Sequence, residues 1–317
     1  MLPGLVSAAL SYVLWGLFPL YFHQLSRVDA FAIVMHRSLW CFVCVWLVLL
    51  GMRRWQWLAE VARRPRTWAQ FTLSALLLST NWMLYVWAVN HGQVVEASLG
   101  YFINPLVNVL LGTFVLGERP RRLQWIAVGV ATAGVLWLTL TLGRPPWIAL
   151  GLAVSFGCYG LLRKTAPLGA LEGLALETMV MAPIALAALL VLGDGHVFGE
   201  LHGADITWLL LAGPITAMPL LLFAYGARRI TMATLGTLQY LSPSLQFALG
   251  VWLYGEPLEP TRLVGFAAIW LALGLYSADG FLWMRNLRND GLGSLRSPPP
   301  RGSGPLPPER PRVRGPG

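Results

Sequence analysis

Apolar runs of membrane-crossing length recur along the whole chain, separated by short polar segments, near residues 4–22, 30–50, 68–90, 95–116, 123–142, 146–162, 171–192, 206–225, 232–254 and 262–282. A helix needs about 20 residues to cross a hydrocarbon core of about 30 Å. The pattern therefore predicts an all-α integral membrane protein of ten transmembrane helices, with almost no room for a soluble domain. The first run lacks a basic leader and an A-x-A site, and further apolar runs follow at once, so it reads as an uncleaved first span.

One segment is written twice. PLVNVLLGTFVLGE (Pro105 to Glu118) and PSLQFALGVWLYGE (Pro243 to Glu256) share the spacing P-x6-G-x4-G-E. Such agreement implies an internal duplication. The copies fall on the fourth and ninth runs, an odd number of crossings apart, so the second copy is inverted relative to the first. The expected organisation is a five-plus-five inverted-topology repeat: residues 1–142, residues 143–285, and a disordered cytoplasmic Pro/Arg/Gly-rich tail over 286–317. Inverted repeats are a recurring plan of secondary transporters, because two related halves can exchange conformations around a central site.

Composition fits this reading: 56% of residues are hydrophobic, 12% are charged and mean hydropathy is +0.61, whereas soluble domains carry about a quarter charged residues. The formal charge of +9 sits in one set of loops, around Arg53 and Arg54, Arg63 to Arg66, Arg119 to Arg122, Arg163 and Lys164, Arg228 and Arg229, and the tail. Only Arg27, Arg144 and Arg262 lie in the opposite set. This positive-inside bias places both termini in the cytoplasm, and charge spent on orientation gives no reason to expect nucleic acid. Trp57, Trp68, Trp147 and Trp208 near span ends suit an interfacial belt. Cys41, Cys44 and Cys158 all lie inside predicted helices, where they read as packing residues; neither a metal site nor a cofactor is expected.

The repeated prolines carry the chemistry. Each falls near mid-span, removes a backbone N–H, and leaves the carbonyl four residues earlier, on Tyr101 or Gln239, without its helical donor. In lipid such a carbonyl must be satisfied by neighbouring helices, polar side chains or a wet cavity. Asn104 and Asn108 flank Pro105, and Gln239, Ser242, Ser244 and Gln246 flank Pro243. Pro105 and Pro243 are thus expected helix breaks beside a substrate cavity, or alternatively kinks whose polar flanks bind neighbouring helices.

At these residues the chain resembles a known family. LGYFINPLVNVLLGTFVLGERPRR (99–122), with YVLWGLFPLYF (12–22), HRSLW (36–40), NWMLYVWAVN (81–90), YGLLRK (159–164) and TLGTLQYLSP (234–243), is similar to the RarD family, a branch of the EamA-like drug/metabolite transporter superfamily. The resemblance covers about residues 5–283. It implies ten helices in a five-plus-five inverted repeat, a bacterial inner-membrane permease, and an association with chloramphenicol sensitivity or resistance. His23 stands where the family pattern calls for lysine, and the tail lies outside the pattern. The first and sixth spans lack the acidic residue on which small multidrug exporters of the wider superfamily rely.

Ionisable groups inside spans are costly and mark function by default. Arg37, about five residues inside its span, is a candidate for substrate binding or gating, or for snorkelling outward. Glu177 is a candidate for proton coupling, or for an interfacial pair with Arg163 or Lys164; His36 is a weaker proton-handling candidate. Glu96, Glu118 and Glu256 read as helix-end anchors or gate salt bridges, with Arg119, Arg121 and Arg122 near Glu118. Asn81, Tyr85 and Asn90 recur near helical spacing on the third span, with Trp82 and Trp87 large enough to line a site for a flat substrate. The candidate substrate-binding or gating set is thus Arg37, Asn81, Tyr85, Asn90, Tyr101, Asn104, Asn108, Gln239 and Ser242.

An ATP-driven pump is disfavoured because the single lysine, Lys164, is in no P-loop. An intramembrane enzyme is disfavoured because H-E-x-x-H, G-x-S-x-G and paired mid-span aspartates are all missing. The expected function is a secondary permease for a small organic metabolite or drug, with the bilayer as its medium and a proton as candidate coupling ion. A membrane receptor or assembly partner acting through the basic tail is the alternative.

Overall fold

A computed structural model describes residues 2–26, 28–53, 56–91, 93–143, 145–192, 203–253, 260, 263–265 and 267–279, and all regular structure among them is helical. Glu256 and the tail 286–317 lie outside the described residues, as do the side chains of Asn90 and Glu96. The helices are α1 (Leu2–Gly16), α2 (Phe18–Gln24), α3 (Ala30–Met52), α4 (Gln56–Ala62), α5 (Pro65–Asn90), α6 (Val94–Phe114), α7 (Arg122–Leu142), α8 (Trp147–Thr165), α9 (Ala170–Leu192), α10 (Gly203–Ala227), α11 (Met232–Gln239), α12 (Leu241–Trp252) and α13 (Leu263–Asp279). Among the described residues, six are long and apolar enough to cross a membrane, with the α1–α2 stretch Leu2–Gln24 taken as one.

Local signals set several ends. The Asp29 carboxylate accepts from the Phe31 and Ala32 amides at 2.8 and 3.1 Å, capping α3. Thr231 caps α11 through the Thr234 amide at 3.1 Å, and Gly143 closes α7 at φ 71°. Pro19 sits in the first turn of α2, just past a break at Leu17 that divides the first apolar run.

The two prolines behave differently, which corrects the expectation of two helix breaks. Pro105 stays inside a continuous α6, whereas the ninth run divides into α11 and α12 at Tyr240, three residues before Pro243. Around the second copy, hydroxyls bond carbonyls one turn back: Thr237 Oγ1 to Ala233 O at 2.9 Å and Ser244 Oγ to Tyr240 O at 2.7 Å. Such back-bonding competes with the helical ladder. Pro105 has Asn104 and Leu106 beside it instead, and its helix holds.

Residues up to Tyr276 form one compact unit. Within it α6 packs on α8 and α11, α1 on α10 and α12, α3 on α9 and α10, and α5 on α8 and α9. The deepest cluster gathers Tyr12, Val45, Leu49, Tyr159, Leu174, Phe223, Met232 and Leu235. Many other large apolar side chains face outward, among them Leu140, Leu190, Val191 and Phe114, as lipid-facing helices require.

Candidate functional site

A cavity of about 150 Å³ opens among α1, α2, α3, α5, α6, α8, α10, α11 and α12. An apolar cavity of similar volume accommodates a benzene ring. Just ahead of the first copy of the repeated segment, Tyr101 and Asn104 line it; just ahead of the second, Gln239 and Ser242. These are the same two registers, four and one residues before each proline. Arg37, Asn81 and Tyr85 complete the expected residues found there, and Pro243 lies in the wall.

The polar groups are tied down to different degrees. Asn81 Nδ2 donates to Leu152 O and Ser155 Oγ, both at 2.9 Å. Gln246 Nε2 donates to Trp15 O at 3.2 Å. Asn108 lies behind the wall, donating from Nδ2 to Gln239 Oε1 at 3.1 Å. Asn104 Oδ1 and Asn108 Oδ1 are buried and accept no hydrogen bond within the protein. Tyr85 and Tyr101 meet edge to face with centroids 6.1 Å apart.

Arg37 is 7% exposed. Its Nε donates to Thr216 Oγ1 at 3.0 Å, and its guanidinium carbon lies 4.7 Å from the Trp82 ring centroid, 5.2 Å from Phe18 and 5.5 Å from Phe22. The sequence pointed to Arg37 but not to Thr216, which is distant along the chain. Phe18 and Phe22 did carry a signal, since i and i+4 share one helical face. Trp87, by contrast, is half-exposed and stacks on His91.

Below the cavity an aromatic layer forms a floor. Trp15, Phe156, Tyr159 and Phe223 meet at centroid distances of 5.5 to 5.8 Å, with Tyr12 6.1 Å from Phe223. Beyond this floor lies the second polar system. Arg163 Nη1 stands 3.5 Å from Glu177 Oε1 with both side chains 2% exposed. Ser74 Oγ donates to the same carboxylate oxygen, and Arg163 Nη2 donates to Ala170 O at 3.0 Å. Glu177 and His36 are thus outside the cavity lining; His36 Nδ1 accepts from Trp40 Nε1 at 3.2 Å. Pro105 likewise faces a separate small pocket.

The Gly-Glu end of the first copy acquires a physical explanation. Gly117 adopts φ 66°, a left-handed turn that glycine enters without steric cost, and the Glu118 amide donates back to Gly112 O at 2.9 Å. The Glu118 carboxylate then accepts from the Met232 and Ala233 amides at 2.8 and 3.3 Å. An anion is favourable at the N-terminus of α11. Lys164 Nζ stands 3.6 Å from Glu118 and donates to Ala227 O and Ile230 O. The cation that pairs with Glu118 is therefore one distant in sequence, on α8, not only the arginines beside it. This assembly sits at the ends of α6 and α8 remote from the cavity.

A bundle of apolar helices surrounding a polar-studded chamber defines a multi-pass membrane protein with an internal cavity. The EamA-like transporter family matches residues 2–140 and 145–278, so the chain belongs to that family. Protein RarD of Streptomyces exfoliatus is 46% identical over 287 residues, covering 90% of this chain and 91% of its own. A Pseudomonas aeruginosa protein named an uncharacterized transporter is 45% identical over 290 residues, covering 91% and 97%. A solved crystal structure at 18% identity shares the fold with a TM-score of 0.67, covering 86% of this chain and 96% of that one. Within the family the chain is a RarD-type permease, a membrane transporter rather than an enzyme.

Proposed function

We propose that the chain is a secondary permease of ten transmembrane helices in a bacterial inner membrane, arranged as two inverted five-helix halves (1–142 and 143–285) that move a small organic substrate by alternating access. The observation that carries this reading is the cavity wall, where Tyr101 with Asn104 and Gln239 with Ser242 come from equal registers just ahead of the two copies of the duplicated segment. The helix contacts support it. Exchanging each expected span with the one five places away turns the packing of α6 on α8 into that of α12 on α1, and the packing of α3 on α10 into that of α9 on α5; all four occur. A chamber shared by two related halves is what alternation needs.

Chloramphenicol, brought in by the resemblance to RarD proteins, is a suitable first probe, since an aromatic layer floors the chamber. The test is exchange of labelled chloramphenicol and other single-ring compounds in reconstituted vesicles. Protein-dependent exchange that falls in Asn104→Ala and Gln239→Ala but survives Leu140→Ala, on the outer surface, supports the reading. Exchange equal to that of protein-free vesicles across the whole set would contradict it.

A further inference from the structure

Among the described residues, the cavity lining holds one full charge, that of Arg37, and nothing of opposite sign. Arg37 is 93% buried, and its one hydrogen bond among the described residues, from Nε to Thr216 Oγ1 at 3.0 Å, uses one of five N–H donors. Neither aspartate nor glutamate lines the chamber, and among the described residues no carboxylate pairs with Arg37. The contrast with Arg163 is direct: also buried, that guanidinium has Glu177 at 3.5 Å.

An arginine buried in a membrane protein is costly unless paired or hydrated. The rings of Phe18, Phe22 and Trp82 lie within 4.7 to 5.5 Å of its guanidinium carbon. They hold the cation in place through their faces, but they carry no formal charge to neutralise it.

We infer that the substrate is an organic monoanion with a flat or aromatic body, its carboxylate seated on the Arg37 guanidinium between Phe18, Phe22 and Trp82. This deepens the permease reading and rests on it. The planar fork of an arginine matches a carboxylate in bidentate fashion, and the aromatic rings beside it receive the body. Asn104 Oδ1, buried and unpartnered, supplies an acceptor for a substrate hydroxyl or N–H. A cationic substrate meets Arg37 as a like charge with no acid to offset it.

The test uses purified full-length protein and matched pairs: benzoate with benzamide, phenylacetate with phenylacetamide, and phenethylamine as the cation. Binding is read by tryptophan fluorescence, because Trp15 and Trp82 line the cavity, and by thermal stabilisation. The acids are expected to bind at least about tenfold more tightly than the amides, a difference of about 1.4 kcal/mol. Arg37→Gln should abolish the preference and Arg37→Lys should retain part of it. The wild-type comparison stands even if Arg37→Gln fails to fold. Equal binding of amide and acid, preference for the amine, persistence of acid preference in a folded Arg37→Gln protein, or no acid bound at high millimolar concentration would each overturn the inference. Vesicle exchange separates the two claims: acids bound but never exchanged would sink the permease while sparing the anion site, and amides exchanged in preference to acids would do the reverse.

Discussion

Asn108 and Gln239, 131 positions apart, meet through a hydrogen bond of 3.1 Å between their side-chain amides, so the first copy of the duplicated segment touches the turn just ahead of the second, directly beside the cavity. Gly236 makes the approach possible, because a Cβ there would stand 2.8 Å from Pro105 O and 3.0 Å from Asn108 Cβ. Interhelical hydrogen bonds in membranes are worth about 0.6 kcal/mol on average. Asn108→Ala is therefore expected to lower the thermal midpoint only slightly. Gly236→Val should lower it far more, since backbone rather than a flexible side chain opposes it; equal shifts would argue against a tight α6–α11 seam.

Glu118 ties the end of α6 to the start of α11. Loss of a capping side chain costs about 1 kcal/mol, so Glu118→Ala should destabilise the fold by about that much, and Lys164→Met should cost less in the Glu118→Ala background than alone, keeping only the loss of its bonds to Ala227 O and Ile230 O. A double-mutant cycle by thermal unfolding checks this: full additivity would deny the coupling between Lys164 and Glu118.

The Arg163–Glu177 pair is buried, and breaking one partner of such a pair typically costs about 3 to 5 kcal/mol. Arg163→Met alone should be strongly destabilising, and Arg163→Met with Glu177→Leu less so. Glu177→Gln is expected to lower stability while substrate exchange, which needs no gradient, persists in the protein that folds. Gradient-driven uptake should then fall no further than exchange does. Loss of uptake alone would assign Glu177 to proton coupling.

Removing residues 286–317 should leave exchange unchanged, because every residue lining the cavity lies between Tyr12 and Gln246. Abolished exchange in a truncated protein that still reaches the membrane would favour the receptor or assembly role of the tail.

Much of the site was legible because two independent sequence signals coincide. A repeat related the two segments, and the cost of polar groups in lipid marked the residues just ahead of them that line the cavity. Tyr101, Asn104, Gln239 and Ser242 emerged from that overlap, and Arg37 from its charge alone. Thr216 as the partner of Arg37, and the α11 amides as partners of Glu118, depend on contacts between helices far apart in sequence. The break at Tyr240 was missed because proline marks where a donor is lost, whereas the helix yields three residues earlier.

Side-specific labelling tests the central claim most directly. With the three native cysteines replaced, Asn104→Cys and Ser242→Cys each place one thiol on the cavity wall, from opposite copies of the repeat. A membrane-impermeant thiol reagent should label both positions from either face of the membrane, in right-side-out and inverted vesicles alike, and a transported compound should protect both together. Labelling of the two positions from one face only under every condition, or from neither, would contradict an alternating chamber shared by the two halves.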